Sequence, residues 1–329
     1  MTYGRSYHTA SVLNDGKVLV VGSQCDNDGA IISELYNPSS GTWTVTGKLN
    51  YARIDHTASV LKDGKVLFVG GDGDENSFNT AEIYDPLTDR WTLTGNLSVG
   101  RTNHKASVLA NGKVLVTGGQ GDDALTSCEL YDPSTGKWNT TGNLSFARTD
   151  HTESALTDGK VLVAGGDNEY DTLNSSELYD LSTGKWTPTG SMHGVRTLHG
   201  VSVFPNGKVL VFVGLDATEF LDALTSAESY DPSTGNWTRT SDLKYPRYDF
   251  AATQLLNGKV LAIGGRVDDE GGITRSVEIY DISTGDWIHV QHLKRPRMAH
   301  TASLLKDGRV LVTGGISDVC EKTAELYDP

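Results

Sequence analysis

A seven-bladed, all-β propeller is the architecture that this 329-residue sequence predicts, and three observations predict it. The stretch from Arg101 to Leu144 is written again along the chain, in copies that open at Arg5, Arg53, Arg101, Arg148, Arg196, Arg247 and Arg297. The six tryptophans, at 43, 91, 138, 186, 237 and 287, stand 48, 47, 48, 51 and 50 residues apart, a period that marks a repeat array. Each complete copy holds four short apolar segments rich in Val, Thr, Tyr and Trp, bounded by Gly, Asn, Asp or Pro. None is long enough for a helix. Each copy therefore predicts a four-stranded antiparallel sheet, and seven such sheets close most naturally into a propeller.

The strands are named A to D from the inside outward. Strand A carries small residues in most copies (Ala58, Ser59; Ala106, Ser107; Ala302, Ser303), as strands converging on an axis require. The Asp-Gly or Asn-Gly pair that follows, Asp15-Gly16 in the first copy, predicts a tight hairpin turn. Strand B is a Val-Leu-Val run ending in two glycines, which allow positive φ or close packing. Copy one has Gly22-Ser23 there and copy five Val213-Gly214, which predicts altered loop exits in those two blades. Strand C brings Tyr36, Tyr84, Tyr131, Tyr179, Tyr230, Tyr280 and Tyr327, and strand D opens on the tryptophans. Aromatics of this size bury roughly 150–250 Å² each, about 4–6 kcal/mol of gross transfer energy, so they are expected in the core between blades. Copy seven stops at Tyr327-Asp328-Pro329, before its Trp, which predicts a three-stranded last blade. The repeats run about 1–52, 53–100, 101–147, 148–195, 196–246, 247–296 and 297–329. They are expected to form one domain, part of a longer protein.

Arg-x-x-His, Gly-Lys-Val-Leu-Val-x-Gly-Gly, Glu-Leu-Tyr-Asp-Pro and the spaced Trp together resemble the kelch repeat, over essentially the whole chain. The Asp-Gly-Lys-Val-Leu-Val wording is similar to the propeller of galactose-oxidase-like and other secreted kelch proteins. That second resemblance implies an alternative activity, a copper-radical oxidase. Arg5-Ser6-Tyr7-His8 followed by Asn-Asp-Gly-Lys-Val is similar to the stretch where that family supplies a Tyr and a His to copper. The family's further His from a C-terminal domain, its second Tyr and its cross-linked Cys find no match, because Cys25, Cys128 and Cys320 fall on loops or strand C. An epimerase-like kelch enzyme working with channel Glu and Arg would point to Glu153. The reading adopted is a binding scaffold with no catalytic residue, metal or cofactor.

A net charge of −14 and a pI near 5.0 argue against nucleic acid and anionic membranes, which would repel the chain. No run of eighteen apolar residues exists, and the start, MTYGRSYHT, lacks the basic head and apolar core of a signal peptide. The location is cytoplasmic if the chain is complete and extracellular if a leader is removed. Five Asn-x-Ser/Thr sequons, at Asn96, Asn139, Asn143, Asn174 and Asn236, permit glycosylation in a secreted chain, though a sequence this rich in Asn and Thr yields several by chance.

Antiparallel order puts A–B and C–D turns at one end of each blade and B–C and D–A loops at the other. The A–B and C–D turns are uniform while the B–C loops vary, and function on repeat scaffolds sits where loops vary. The candidate binding residues are therefore the arginines Arg5, Arg53, Arg101, Arg148, Arg196, Arg247 and Arg297; the fillers Tyr7, Asp55, Asn103, Asp150, Tyr248 and Asp249; the loop acids Asp72, Asp122, Asp167 and Asp269; and Glu153 on strand A. Against a binding role for the arginines stand seven matching glutamates (Glu34, Glu82, Glu129, Glu177, Glu228, Glu278, Glu325); a residue needed in every blade is architectural. The repeated histidines (His8, His56, His104, His151, His199, His300) are likewise expected to make structural hydrogen bonds. Glu153 is expected to pair with Lys105.

With its arginines paired, the loop end is negative and suits a basic or neutral protein or peptide segment; a carbohydrate is the other ligand admitted, and the propeller is expected to be monomeric. Charge reversal at Asp72, Asp122, Asp167 and Asp269 is then expected to weaken binding more than changes at the turn residues Asp63 and Asp158. Cys25 and Cys320 lie in the B–C loops of blades one and seven. A disulfide there would staple the seam, but the two loop positions are not equivalent, and two free thiols are expected.

Overall fold

The computed structural model describes residues 1–25, 30–73, 78–218, 222–268 and 272–329. Among them, seven antiparallel blades follow one another along the chain, six with four strands and the last with three. The third blade is typical, with strands Lys105–Val108, Val114–Thr117, Cys128–Asp132 and Lys137–Thr140 paired in sequence order. The seventh has only Thr301–Leu304, Val310–Thr313 and Ala324–Tyr327. The fold is a seven-bladed β-propeller.

The chain divides into two compact units. The first comprises Met1–Gly121, Glu129–Thr140 and Ala299–Pro329, and so holds blades one, two and seven with most of blade three. Strand A of blade one (Thr9–Val12) lies beside strand A of blade two (Thr57–Val60) and of blade seven. Blades one and two clasp Leu13, Leu19, Val21, Phe68 and Tyr84 between them. The second unit comprises Asp122–Cys128 and Thr141–Met298. Its blade-four and blade-five sheets enclose Leu162, Ala164, Met192, Val211 and Tyr230. Sheet packing on both faces explains why strand B reads as an unbroken apolar run rather than an alternation: all four of its residues are buried in every blade.

The uniform wording of the A–B turn has a local cause. In Leu13-Asn14-Asp15-Gly16 the glycine N–H donates to Leu13 O (2.8 Å) and only the glycine has positive φ (88°). This is a type I turn closed by a left-handed glycine rather than the two-residue primed turn. The Asp15 carboxylate accepts the Lys17 N–H at 3.0 Å, and the corresponding Asp or Asn does so in the other six blades. Asp/Asn-Gly-Lys/Arg is thus a turn written for its own geometry.

The Trp-x-x-Thr-Gly phrase, present in the first four blades, ties neighbouring blades together. Within unit two, Thr141 Oγ1 bonds the Tyr179 hydroxyl at 2.6 Å, and the Gly142 N–H donates to Gly184 O at 3.0 Å. A Cβ on Gly142 would sit 2.4 Å from that oxygen, so only glycine fits. Unit one repeats the bond between Thr94 and Tyr131 at 2.7 Å. The tyrosines are core, at most 8% exposed. Each of the first six packs on its own blade's tryptophan with ring centroids 5.0–5.2 Å apart. The tryptophans themselves, on the outer strand, are half-buried except Trp237.

Three departures from the repeat resolve differently. Blade five does not alter its loop exit: Val213 takes φ 53°, Gly214 follows at 101°, and Val213 O still accepts from Arg196. A β-branched residue in that region is strained, and its fully buried side chain within the core of blades five and six offsets the cost. Blade one does change, since Ser23 is not left-handed. In blade six, Phe250 replaces the usual His, and Gly200 in blade five replaces the Thr that would have bonded it. A Cβ on Gly200 would lie 2.7 Å from the Phe250 ring, so the two exceptions accommodate one another.

Candidate functional site: the B–C and D–A loop end

The seven opening arginines are all fully buried. Six pair with the strand-C glutamate of their own blade: Arg5 with Glu34 (3.1 Å), Arg53 with Glu82 (2.8 Å), and Arg101 with Glu129, Arg148 with Glu177 and Arg196 with Glu228 (each 3.3 Å), then Arg247 with Glu278 (2.6 Å). Each of these guanidiniums also donates to the carbonyl that ends strand B's run, Gly70 O for Arg53 at 2.6 Å. The glutamates meanwhile accept backbone N–H groups from the D–A linker, as Glu82 does from Asn50 (2.8 Å) and Tyr51 (3.2 Å). In this way one charge pair holds the end of strand B and the D–A linker together, with charge-assisted bonds satisfying both ions. The arrangement leaves these six guanidiniums enclosed, away from any ligand at the loop tips.

The histidines serve the next layer. His56 Nε2 bonds Thr9 Oγ1 (2.9 Å), His104 bonds Thr57 (2.9 Å), and His8 bonds Thr301 (3.0 Å) and Thr313 (3.3 Å), all in unit one; His199 bonds Thr152 (2.9 Å) in unit two. Burial, then the neighbouring arginine charge, pushes His8 and His56 down to about 3, and His104 well below its usual value. Unfolded, each would take up a proton near pH 6.5. The unfolded state therefore binds more protons between pH 6.5 and about 3, so this stability is complete above pH 6.5 and lost as pH falls through that window. The expected slope is roughly 1 kcal/mol per pH unit for each histidine. Urea unfolding at pH 7, 6 and 5 should show it, and His56→Gln should flatten it; an unchanged slope in the variant contradicts the assignment.

The residue before each of these histidines, and before Phe250, is left-handed: Tyr7, Asp55, Asn103 and Ala299 in unit one, Asp150, Leu198 and Asp249 in unit two, with φ 48–52°. The conformation lets consecutive blades bond through backbone. Tyr7 N–H donates to Ala299 O (3.2 Å), Asp55 N–H to Tyr7 O (3.4 Å), Asn103 N–H to Asp55 O (3.2 Å), and Leu198 N–H to Asp150 O (3.1 Å). Asp and Asn suit this region. That Leu and Ala adopt it too marks it as architectural. The fillers Tyr7, Asp55, Asn103, Asp150 and Asp249 are half-buried.

Within unit two, the B–C loops touch one another. Ala124 N–H donates to Glu169 Oε1 at 2.7 Å, and Ala217 N–H to Thr172 Oγ1 at 3.0 Å, linking the loops of blades three, four and five. Their exposed charges include Asp122, Asp123, Asp171 and Asp222. Asp167 is half-buried and folds its own loop by accepting the Glu169 N–H at 2.8 Å. At blade six a groove of about 860 Å³ has Tyr245, Val267, Asp268, Ile273, Arg275 and His292 among its lining residues. An aromatic cluster borders it, with Tyr245 5.7 Å from His289 and His289 4.7 Å from His292 between ring centroids. Tyr248 is buried, its hydroxyl 3.4 Å from Asp268 O and Arg266 over its ring. Sequence reasoning missed Tyr245, His289 and His292. The signal was present: blade six reads Val290-Gln291-His292-Leu293 where most blades have Thr-Gly-x-Leu. Glu153 is half-buried on strand A of blade four, opposite Val163, and Asp72 is exposed in blade two. Asp269 lies outside the described residues.

In unit one the expectation of free thiols is corrected. Cys25 and Cys320 form a disulfide with Cα atoms 5.9 Å apart. The cause is the blade-one departure: Ser23 Oγ donates to Gly4 O (2.9 Å) and accepts the Cys25 N–H (3.0 Å), which turns that loop toward blade seven. Gly4 packs against Cys320 so closely that its Cβ would meet Cys320 O at 3.0 Å.

Comparison with known proteins agrees with this architecture. A search of curated proteins found no match. Among solved structures, a fungal alcohol oxidase of the AA5 family, described in complex with copper, superimposes with a TM-score of 0.82 at 19% identity, covering 100% of this chain and 75% of that one. At that identity the likeness is one of fold. The Kelch motif profile matches residues 246–294, and that of the KLHDC2/KLHL20/DRC7 Kelch-repeats domain matches residues 7–187, more than half the chain. With arginine, glutamate, histidine, tyrosine and tryptophan recurring in these structural roles, the chain belongs to the Kelch-repeat family.

Proposed function

We propose that this Kelch propeller is a non-enzymatic binding scaffold that takes a basic or neutral protein segment on the loop end of unit two. One observation carries the reading: Arg148, Arg196 and Arg247 are enclosed in ion pairs, while Asp122, Asp123, Asp171 and Asp222 are exposed on loops that touch. Long-range attraction then favours a cationic segment, and the groove beside Tyr245 offers apolar walls for its side chains.

The oxidase alternative draws on the fungal structure and on Tyr7-His8. His8 Nε2 is engaged by two threonine hydroxyls, and among the described residues no group of three or more His, Cys, Asp or Glu is placed to hold a metal ion. The hydrogen bonds that His8 Nε2 already makes count against a role for it as a copper ligand. A pull-down with the protein from its native source, read by mass spectrometry, identifies the partner. Asp122→Lys with Asp171→Lys should then weaken its binding about tenfold or more, mostly through the association rate, while Asp63→Lys with Asp158→Lys leaves it within about twofold. The reverse pattern would put the site at the other end of the blades, and copper-dependent peroxide production would restore the oxidase.

A further inference from the structure

We propose that two or more of Asn96, Asn139, Asn143 and Asn236 carry N-glycans and that the chain matures in an oxidising compartment. Three observations converge. The Cys25–Cys320 disulfide joins residues 295 apart in sequence, and such bonds form and persist in oxidising compartments and are rare in the reducing cytosol. The third cysteine, Cys128, is buried, with its Sγ 3.6 Å from Thr126 O, so it is kept from exchanging with that pair. The sequons then divide by environment.

Asn139 and Asn236 stand exposed on outer strands, in Lys137–Thr140 and Asn236–Arg239, and Asn96 and Asn143 are exposed just beyond outer strands. A glycan on any of the four projects from the outer edge of its own blade. Asn174 is different. It is half-buried and its Nδ2 donates to Met192 O at 3.1 Å, a bond that a glycan there would disrupt.

The chemistry balances with a lipid-pyrophosphate-linked oligosaccharide as donor. The asparagine Nδ2 bonds to the anomeric carbon, the bond from that carbon to pyrophosphate oxygen breaks, the lipid pyrophosphate leaves, and the amide gives up one proton. The Cys25 and Cys320 thiols pass two electrons and two protons to a protein disulfide donor.

The test uses the protein isolated from its source cells, alkylated before any reduction. Half is treated with peptide-N-glycosidase in ¹⁸O water and both halves are mapped by peptide mass spectrometry. The expected result is ¹⁸O-labelled Asp at two or more of the four positions, unmodified Asn174, and alkylation of Cys25 and Cys320 only after reduction. Label at none or one of the four, label at Asn174, or either disulfide cysteine alkylated without reduction overturns the proposal.

Discussion

Glu82→Ala should destabilise the chain by about 3–5 kcal/mol, the cost of leaving a buried charge without its partner. The carboxylate receives Arg53 at 2.8 Å together with N–H groups from Asn50 and Tyr51, and neither charged side chain is exposed. Its loss strands a guanidinium that is 0% exposed and also frees the D–A linker. Asp85→Ala is the control. Its pair with Lys65 spans 3.9 Å at the surface, and such pairs contribute about 0–1 kcal/mol. The difference should appear as a lower urea midpoint for Glu82→Ala. Midpoints within error of each other would mean that the buried pairs do not hold the loop end together.

Cys25→Ser with Cys320→Ser should cost about 2–5 kcal/mol, the usual range for removing a native disulfide, here through release of a very long loop in the unfolded chain. Wild-type protein should lose a similar amount in reductant, while the double variant should be insensitive to it. Reductant effects of equal size in both would assign the loss to something other than this bond.

Much of the fold was legible because the repeat states each local requirement seven times. Asp-Gly-Lys specifies its turn, Val-Leu-Val a strand buried on both faces, and Arg with Glu a buried pair. The existence of that pairing could be inferred from matching counts alone. What escaped were features that exist once. The disulfide could not be read from Cys25 and Cys320, since it depends on Ser23 bending one loop toward Gly4. Val213 looked like a changed loop exit, yet it takes the left-handed path of the glycine it replaces. The groove beside Tyr245 and His292 is assembled from a D–A junction, a B–C loop and the next junction, segments whose approach no single stretch of sequence records.

The central claim, that the loop end of unit two is the binding surface, is tested most directly by hydrogen exchange of the native protein with and without its pulled-down partner. The account predicts slowed exchange at residues 122–127, 167–174 and 215–218, with the A–B turns at 158–159, 206–207 and 257–258 unchanged. Slowed exchange at those turns, with the loops unchanged, would contradict it.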